Sequence, residues 1–257
     1  MAAIDVMSTF RLDDRVAVVT GASSGLGDRF ARVLHAAGAT VVAAARRTDR
    51  LEALAADLGE RVIPVTCDVA RDDDCEALVA TAIERCGAID VLVNNAGRGE
   101  PMPAELESIE HFRDTIDVNL NGLFLLSQLV GRHMIERGRG SIVNIASVLG
   151  LVASTPIKQA SYCASKGAVL SLTRELGCQW ARKGVRVNAL APGWFPTEMT
   201  HLMWEDEGAQ SFMQRNCPLA RGGEDHELDG ALLFLASDAS SYVVGQAIVV
   251  DGGWTAR

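Results

Sequence analysis

Tyr162 and Lys166 stand four residues apart in the segment Ser161-Tyr-Cys-Ala-Ser-Lys-Gly167, and this pair is the strongest chemical signal in the chain. The whole sequence holds only two tyrosines and three lysines. On a helix, positions i and i+4 lie one turn apart on the same face, which sets an ammonium beside a phenol. A free phenol ionises near pH ~10 and is a poor base at neutrality. A neighbouring cation in a partly desolvated cleft favours the phenolate, so the pair can exchange a proton with an alcohol or ketone oxygen. The alternative is an exposed helix pair, which contributes only about 0.2–0.5 kcal/mol.

The segments that must position this pair alternate short β-branched runs with longer amphipathic stretches. They run Arg15 to Thr20, Leu26 to Ala37, Thr40 to Ala45, Asp49 to Leu58 and Arg61 to Thr66. Repeated β-α-β of this kind predicts an α/β fold, a parallel sheet covered by helices on both faces. The pattern continues with a helix near Asp73 to Arg85, a strand at Val91 to Asn94, one long helix around Phe112 to Glu136 and a strand at Ser141 to Ala146. Strands at Val185 to Leu190 and Ala247 to Val250 bring the expected count to about seven. Gly38 and Gly59 fall where helix ends need a left-handed residue. Residues 193–223, rich in Met, Trp and charge, read as a short helical excursion, and such insertions often serve as lids.

The first strand runs into Thr20-Gly-Ala-Ser-Ser-Gly-Leu-Gly27, a strand–glycine turn–helix arrangement suited to a dinucleotide. Glycines at 21, 25 and 27 allow close backbone approach to a pyrophosphate, and the helix N-terminus supplies free N–H groups and a positive dipole end. The spacing, Gly-x3-Gly-x-Gly, differs from the common Gly-x-Gly-x-x-Gly. The second strand ends in Ala43-Ala-Ala-Arg-Arg-Thr48, with no carboxylate to repel a 2′-phosphate. Arg46 and Arg47 therefore favour NADP(H), although an arginine can also stack on the adenine of NAD(H). Asp68 is a candidate for the adenine amino group, and Asn94-Asn-Ala-Gly97 closes the fourth strand beside the same crevice.

Together these motifs resemble the short-chain dehydrogenase/reductase family from about Leu12 to Gly253. The resemblance rests on the glycine motif, Asn94-Asn-Ala-Gly97, the asparagine of Asp117-Val-Asn-Leu120, the serine of Ile145-Ala-Ser-Val148, the Tyr162/Lys166 pair and Val187-Asn-Ala-Leu-Ala-Pro-Gly193. It implies one Rossmann-like, doubly wound domain spanning 1–257, with a substrate lid at about 194–223. It further implies that Ser147 polarises the substrate oxygen and Tyr162 handles its proton. Lys166 lowers the tyrosine pKa and binds the nicotinamide ribose, and Asn119 holds a water that extends the proton relay. The cofactor set is then Gly21, Ser23, Ser24, Gly25, Leu26, Gly27, Arg46, Arg47, Asp68, Val69, Asn95, Ala96 and Gly97, with Tyr162 and Lys166. Pro192, Gly193, Phe195 and Thr197 hold the carboxamide. Two departures stand out: Pro196 removes an N–H from the carboxamide segment, and the stretch between Ser147 and Tyr162 is slightly long.

An apolar substrate wall is expected from Val148, Leu149, Trp194, Met199, Met203 and Trp204, with core or subunit interface as the other use of those side chains. Arg98 and Lys158 are either surface charges or a grip on an acidic substrate group. The favoured activity is NADP(H)-dependent interconversion of a secondary alcohol and a ketone, on a small or medium apolar carbonyl compound. A 3-oxoacyl-thioester (acyl-carrier-protein) reductase is the alternative, and an NADP-sensing regulatory protein is the non-enzymatic one.

The formal charge of -9 and scattered arginines argue against a nucleic-acid partner. The six cysteines form no Cys-x-x-Cys and the five histidines are dispersed, so neither a metal site nor a disulfide framework is expected. Cys163 reads as a structural thiol. The opening residues lack the pattern of a signal peptide and no stretch approaches a membrane span, which points to a cytoplasmic protein. The family resemblance adds a homotetramer.

Overall fold

In the computed structural model, which describes residues 5–154 and 156–256, seven strands form one parallel sheet in the order β3-β2-β1-β4-β5-β6-β7. The strands are β1 Val16–Thr20, β2 Thr40–Ala45, β3 Val62–Thr66, β4 Val91–Asn94, β5 Gly140–Ile145, β6 Val185–Pro192 and β7 Ala247–Val250. Continuous runs such as Val-Ala-Val-Val-Thr in β1 are buried throughout, as a strand covered on both faces requires. The helices are α1 Gly25–Ala36, α2 Thr48–Leu58, α3 Asp72–Cys86, α4 Ile109–Ile116, α5 Gly122–Arg137, α6 Ala160–Trp180, α7 His201–Glu205, α8 Glu207–Asn216 and α9 Asp229–Ala236.

The two faces of the sheet carry separate cores. On one, Phe30 and Leu34 of α1, Leu51 of α2 and Leu232 and Leu235 of α9 pack on Val19, Val41 and Val93. On the other, Leu78 of α3, Leu126 and Met134 of α5 and Leu176 of α6 pack on Val18, Val42 and Ile142. The alternation of side chains along each strand divides the apolar residues between these two layers. All seven expected strands are present, and Gly59 ends α2 with φ +86 as anticipated.

One expected element is divided. The stretch read as a single helix from Phe112 to Glu136 is α4 and α5 joined by a wider π turn over Asp117–Asn121, in which the Gly122 N–H donates to Asp117 O. Such a turn adds a residue without interrupting the rod, and it carries Asn119 into the protein, where it is buried. The excursion after β6 contains α7, the single short run His-Leu-Met-Trp-Glu, and the more polar α8.

Gly122, directly after the π turn, lets α5 approach the loop that follows β3, because a Cβ there would lie 2.1 Å from Val69 O. Gly230 on the exposed side of α9 has nothing within 4 Å of a Cβ. Gly122→Ala should therefore destabilise the fold by about 1–3 kcal/mol, whereas Gly230→Ala should stabilise it by about 0.5–1 kcal/mol. Urea unfolding of both variants checks the opposite signs.

Candidate active site

The glycine turn lies at the carboxyl end of β1, beside the point where strand order reverses from β2-β1 to β1-β4. Loops diverge from such a point and leave a crevice. Gly21 takes φ +68, and a Cβ on Gly27 would lie 2.1 Å from Gly21 O, so the turn closes onto the first turn of α1 only with glycine at both ends. The Asn95 side chain donates to Thr20 O at 2.9 Å, and the Ala96 N–H donates to Thr20 Oγ1 at 3.0 Å. The turn is thus held from below by the loop after β4.

Along this crevice runs a cleft of about 900 Å³. Its walls take in Gly21, Ser23, Ser24, Gly25, Leu26 and Gly27, then Arg46 and Arg47 after β2, Asp68 and Val69 after β3, and Asn95, Ala96 and Gly97 after β4. Ser147, Tyr162, Lys166, Pro192, Gly193, Phe195 and Thr197 complete it. The whole expected cofactor set is brought together. Backbone donors at the α1 N-terminus, small residues in the turn and arginines at one end fit a dinucleotide phosphate. Asn94 turns away instead, donating to Ser127 and Asn144 in the interior, and Pro196 is not part of the cleft wall.

A second cavity of about 750 Å³ meets the first along Gly99, Ser147, Tyr162, Gly193, Met199 and Thr200. Val148, Leu149, Trp194, Met199 and Met203 line it as expected. Trp204 does not. Its ring packs against Gly222 and its indole N–H donates to Thr200 Oγ1 at 3.3 Å, so it supports the wall from behind. The long stretch between Ser147 and Tyr162 supplies Pro156, Ile157, Lys158 and Gln159 to the cavity. Arg98 lines the dinucleotide cleft and is paired with Glu100 and Asp114, whereas Lys158 lines the apolar cavity.

At the junction, Ser147 shares a hydrogen bond with the Tyr162 hydroxyl. Its Oγ also accepts from the Leu149 N–H at 3.1 Å, which fixes the side chain at the end of β5. Lys166 Nζ donates to Ile145 O at 2.7 Å and lies 5.7 Å from the centre of the Tyr162 ring. Withdrawal from solvent pushes the phenol of Tyr162 above its ordinary value, against the opposing hydrogen bond from Ser147. Burial lowers the Lys166 ammonium to about 8. The tyrosine is thus raised in the protein alone, where a depression by the lysine was expected, because desolvation acts against its charged form.

Asn119 stands one layer behind. Its side chain accepts from the Arg98 N–H at 2.8 Å and donates to Arg98 O at 2.8 Å and Ser165 Oγ at 3.0 Å. It braces the loop after β4 against α6. Cys163 packs with Ile157 and Tyr162, and burial pushes its thiol up, which suits a structural role.

Two acidic residues were not singled out from the sequence. Glu107 has a side chain only 5 % exposed and receives hydrogen bonds from Ser161 and His111. Burial raises its carboxyl pKa, but those hydrogen bonds outweigh it and hold the group below the usual range. The first turn of α6, whose N-cap Gln159 makes no side-chain cap bond, thereby gains a cap from another loop. Glu198 pairs with Arg47 across the cleft mouth. Neither pairing leaves a local motif, since the partners are 54 and 151 residues apart.

The family described as enoyl-(acyl carrier protein) reductase matches residues 21–255. A galactitol 2-dehydrogenase (L-tagatose-forming) from Cereibacter sphaeroides is 42% identical over 255 residues, 98% of this chain and 99% of that one. A gluconate 5-dehydrogenase from Gluconobacter oxydans is 41% identical over 249 residues, 96% of each. Among solved structures, a gluconate 5-dehydrogenase from Burkholderia cenocepacia in complex with NADP and tartrate superimposes with a TM-score of 0.94 at 39% identity, covering 98% of this chain and 100% of that one. The chain belongs to the short-chain dehydrogenase/reductase family.

Glu107→Ala should cost about 1–3 kcal/mol by leaving buried donors at the start of α6 unpaired. Because the folded pKa lies below the unfolded one, this contribution is full above the ordinary glutamate value near ~4.3 and is lost as pH falls through the folded value. Urea unfolding of wild type and variant at falling pH should show their difference shrinking.

Proposed function

We propose that this protein is an NADP(H)-dependent oxidoreductase that interconverts a secondary alcohol and its ketone. The observation that carries the reading is the meeting of Ser147, Tyr162 and Lys166 where the dinucleotide cleft opens into the apolar cavity. Bound nicotinamide supplies the hydride chemistry. The chain's own groups hold the phosphates and manage the proton.

In this reading the α1 N-terminus and the glycine turn bind the pyrophosphate, and Arg46 and Arg47 take the 2′-phosphate. Asp68 and Val69 meet the adenine, Asn95, Ala96 and Gly97 support the turn, and Pro192, Gly193, Phe195 and Thr197 position the carboxamide. Ser147 donates a hydrogen bond to the substrate oxygen, and Tyr162 gives that oxygen a proton in reduction or takes one in oxidation. Lys166, fixed on Ile145 O, binds the ribose and favours the phenolate. The main chain of Asn119 carries the proton path outward.

The substrate reading is a small hydroxylated compound. Val148, Leu149, Trp194, Met199 and Met203 meet its carbon frame, while Lys158, Gln159 and Asp206 supply polar contacts on the same wall. Residues 194–223, with α7 and α8, form the lid of a single domain. The exposed side chains of Leu106, Ile109 and Phe124 on and before the α4–α5 rod suit subunit contacts of a homotetramer. An acyl-carrier substrate is less well served, since the chain is acidic overall.

Turnover of polyols, sugar acids and simple alcohols, each with NADP+ and NAD+, tests cofactor and substrate class together. Activity with an acyl-carrier thioester and none with free alcohols or ketones would favour the thioester reading. Tyr162→Phe should lower kcat by at least about 100-fold, the scale of general acid–base catalysis, with dinucleotide affinity nearly intact. Alcohol oxidation should quicken as pH rises, because Tyr162 must accept a proton and its pKa is raised. Unchanged turnover in Tyr162→Phe would refute the mechanism.

A further inference from the structure

At the adenosine end of the cleft, Arg47 is already paired. Its guanidinium meets Glu198 in a two-pronged contact, 3.2 Å to Oε1 and 2.9 Å to Oε2. The same group donates to Ser23 Oγ at 3.1 Å and Ser24 Oγ at 2.6 Å. Glu198 belongs to the stretch that follows β6, and Thr197 before it lies over the glycine turn, 3.3 Å from where a Gly25 Cβ would stand. That stretch therefore crosses the cleft from the carboxamide end to the arginine end. Both Arg47 and Glu198 line the cleft, with side chains 41% and 54% exposed. Hydrogen bonding from Arg47 holds the carboxyl below its usual range despite some opposing desolvation, with Ser24 and Arg50 adding to the effect.

A carboxylate on a planar arginine fork occupies the geometry that a phosphate would use. We propose that Glu198 is an internal counter-ion at the 2′-phosphate site, so that the phosphorylated dinucleotide binds by exchanging a phosphate for this carboxylate on Arg47. Glu198 is thereby a specificity-determining residue, setting how strongly the protein prefers phosphorylated over non-phosphorylated cofactor. The inference rests on the reading of Arg47 as a 2′-phosphate ligand. Like charge beside the site opposes the arriving phosphate and leaves a ligand without that phosphate unaffected. Ser23 and Ser24 keep Arg47 in place when Glu198 lets go.

Isothermal titration of 2′,5′-ADP and 5′-ADP into the wild type, Glu198→Gln, Arg47→Met and the double variant tests this without turnover. Glu198→Gln should tighten 2′,5′-ADP by about two- to fivefold, the range open to an exposed ion pair, and leave 5′-ADP unchanged. The gain should fade in high salt and vanish when Arg47 is Met. Equal tightening of both nucleotides, no change, or weaker 2′,5′-ADP binding in Glu198→Gln would overturn the proposal. If Arg47→Met leaves 2′,5′-ADP affinity intact, the cofactor reading itself fails. If Arg47→Met weakens it while Glu198→Gln does not tighten it, only the counter-ion role fails. Retained 5′-ADP binding shows that each variant is folded.

Discussion

The pairing of β4 beside β1, out of chain order, is the constraint from which the rest of the molecule follows. Val18 lies opposite Leu92 and Val19 opposite Val93, so both strands end at the same level of the sheet. The chain leaves β1 toward one face and β4 toward the other, and the gap between them becomes the crevice. Thr20 and Asn95 then tie the two exits together through side-chain and backbone hydrogen bonds. A looser connection here would leave the glycine turn unsupported, and with it the N-terminus of α1. The Tyr162/Lys166 pair is set against the same frame, because Lys166 reaches from α6 to the end of β5.

Most of the sheet was legible because buried parallel strands are written as short β-branched runs, and such runs have few other uses. The glycine turn and the Tyr162/Lys166 pair were legible for a related reason: their chemistry depends on local spacing, which a sequence displays directly. The π turn at Asp117–Asn121 was not, since one extra residue within a helix leaves the apolar pattern almost unchanged. Trp204 was misplaced because apolar character alone does not say whether a ring faces a cavity or backs its wall. Glu107 and Glu198 escaped notice because the bond each makes across the fold, to Ser161 and to Arg47, joins residues distant in sequence.

The electrostatics of the reacting groups differ from a simple picture of lysine acting on tyrosine. Tyr162 is pushed up and Lys166 down by the same withdrawal from water. Both shifts favour the uncharged members of the pair. At neutral pH the phenol therefore keeps its proton and is uncharged, while Lys166, lowered only to about 8, remains mostly a cation. Ser147 already offers the phenol one hydrogen bond. Lys166, 5.7 Å from the ring centre, is the cation placed nearest to it.

The two cavities are not neighbours separated by a wall; they share Ser147, Tyr162, Gly193, Met199 and Thr200 as common boundary. A boundary held in common cannot be completed from one side alone. Whatever occupies the larger cleft supplies part of the floor on which a molecule in the smaller one must rest. In the proposed reading, the dinucleotide in the larger cleft completes that floor, and the second reactant rests above it. Ordered kinetics, in which the smaller reactant binds productively only to the binary complex, are what the proposed reading expects of this shared boundary.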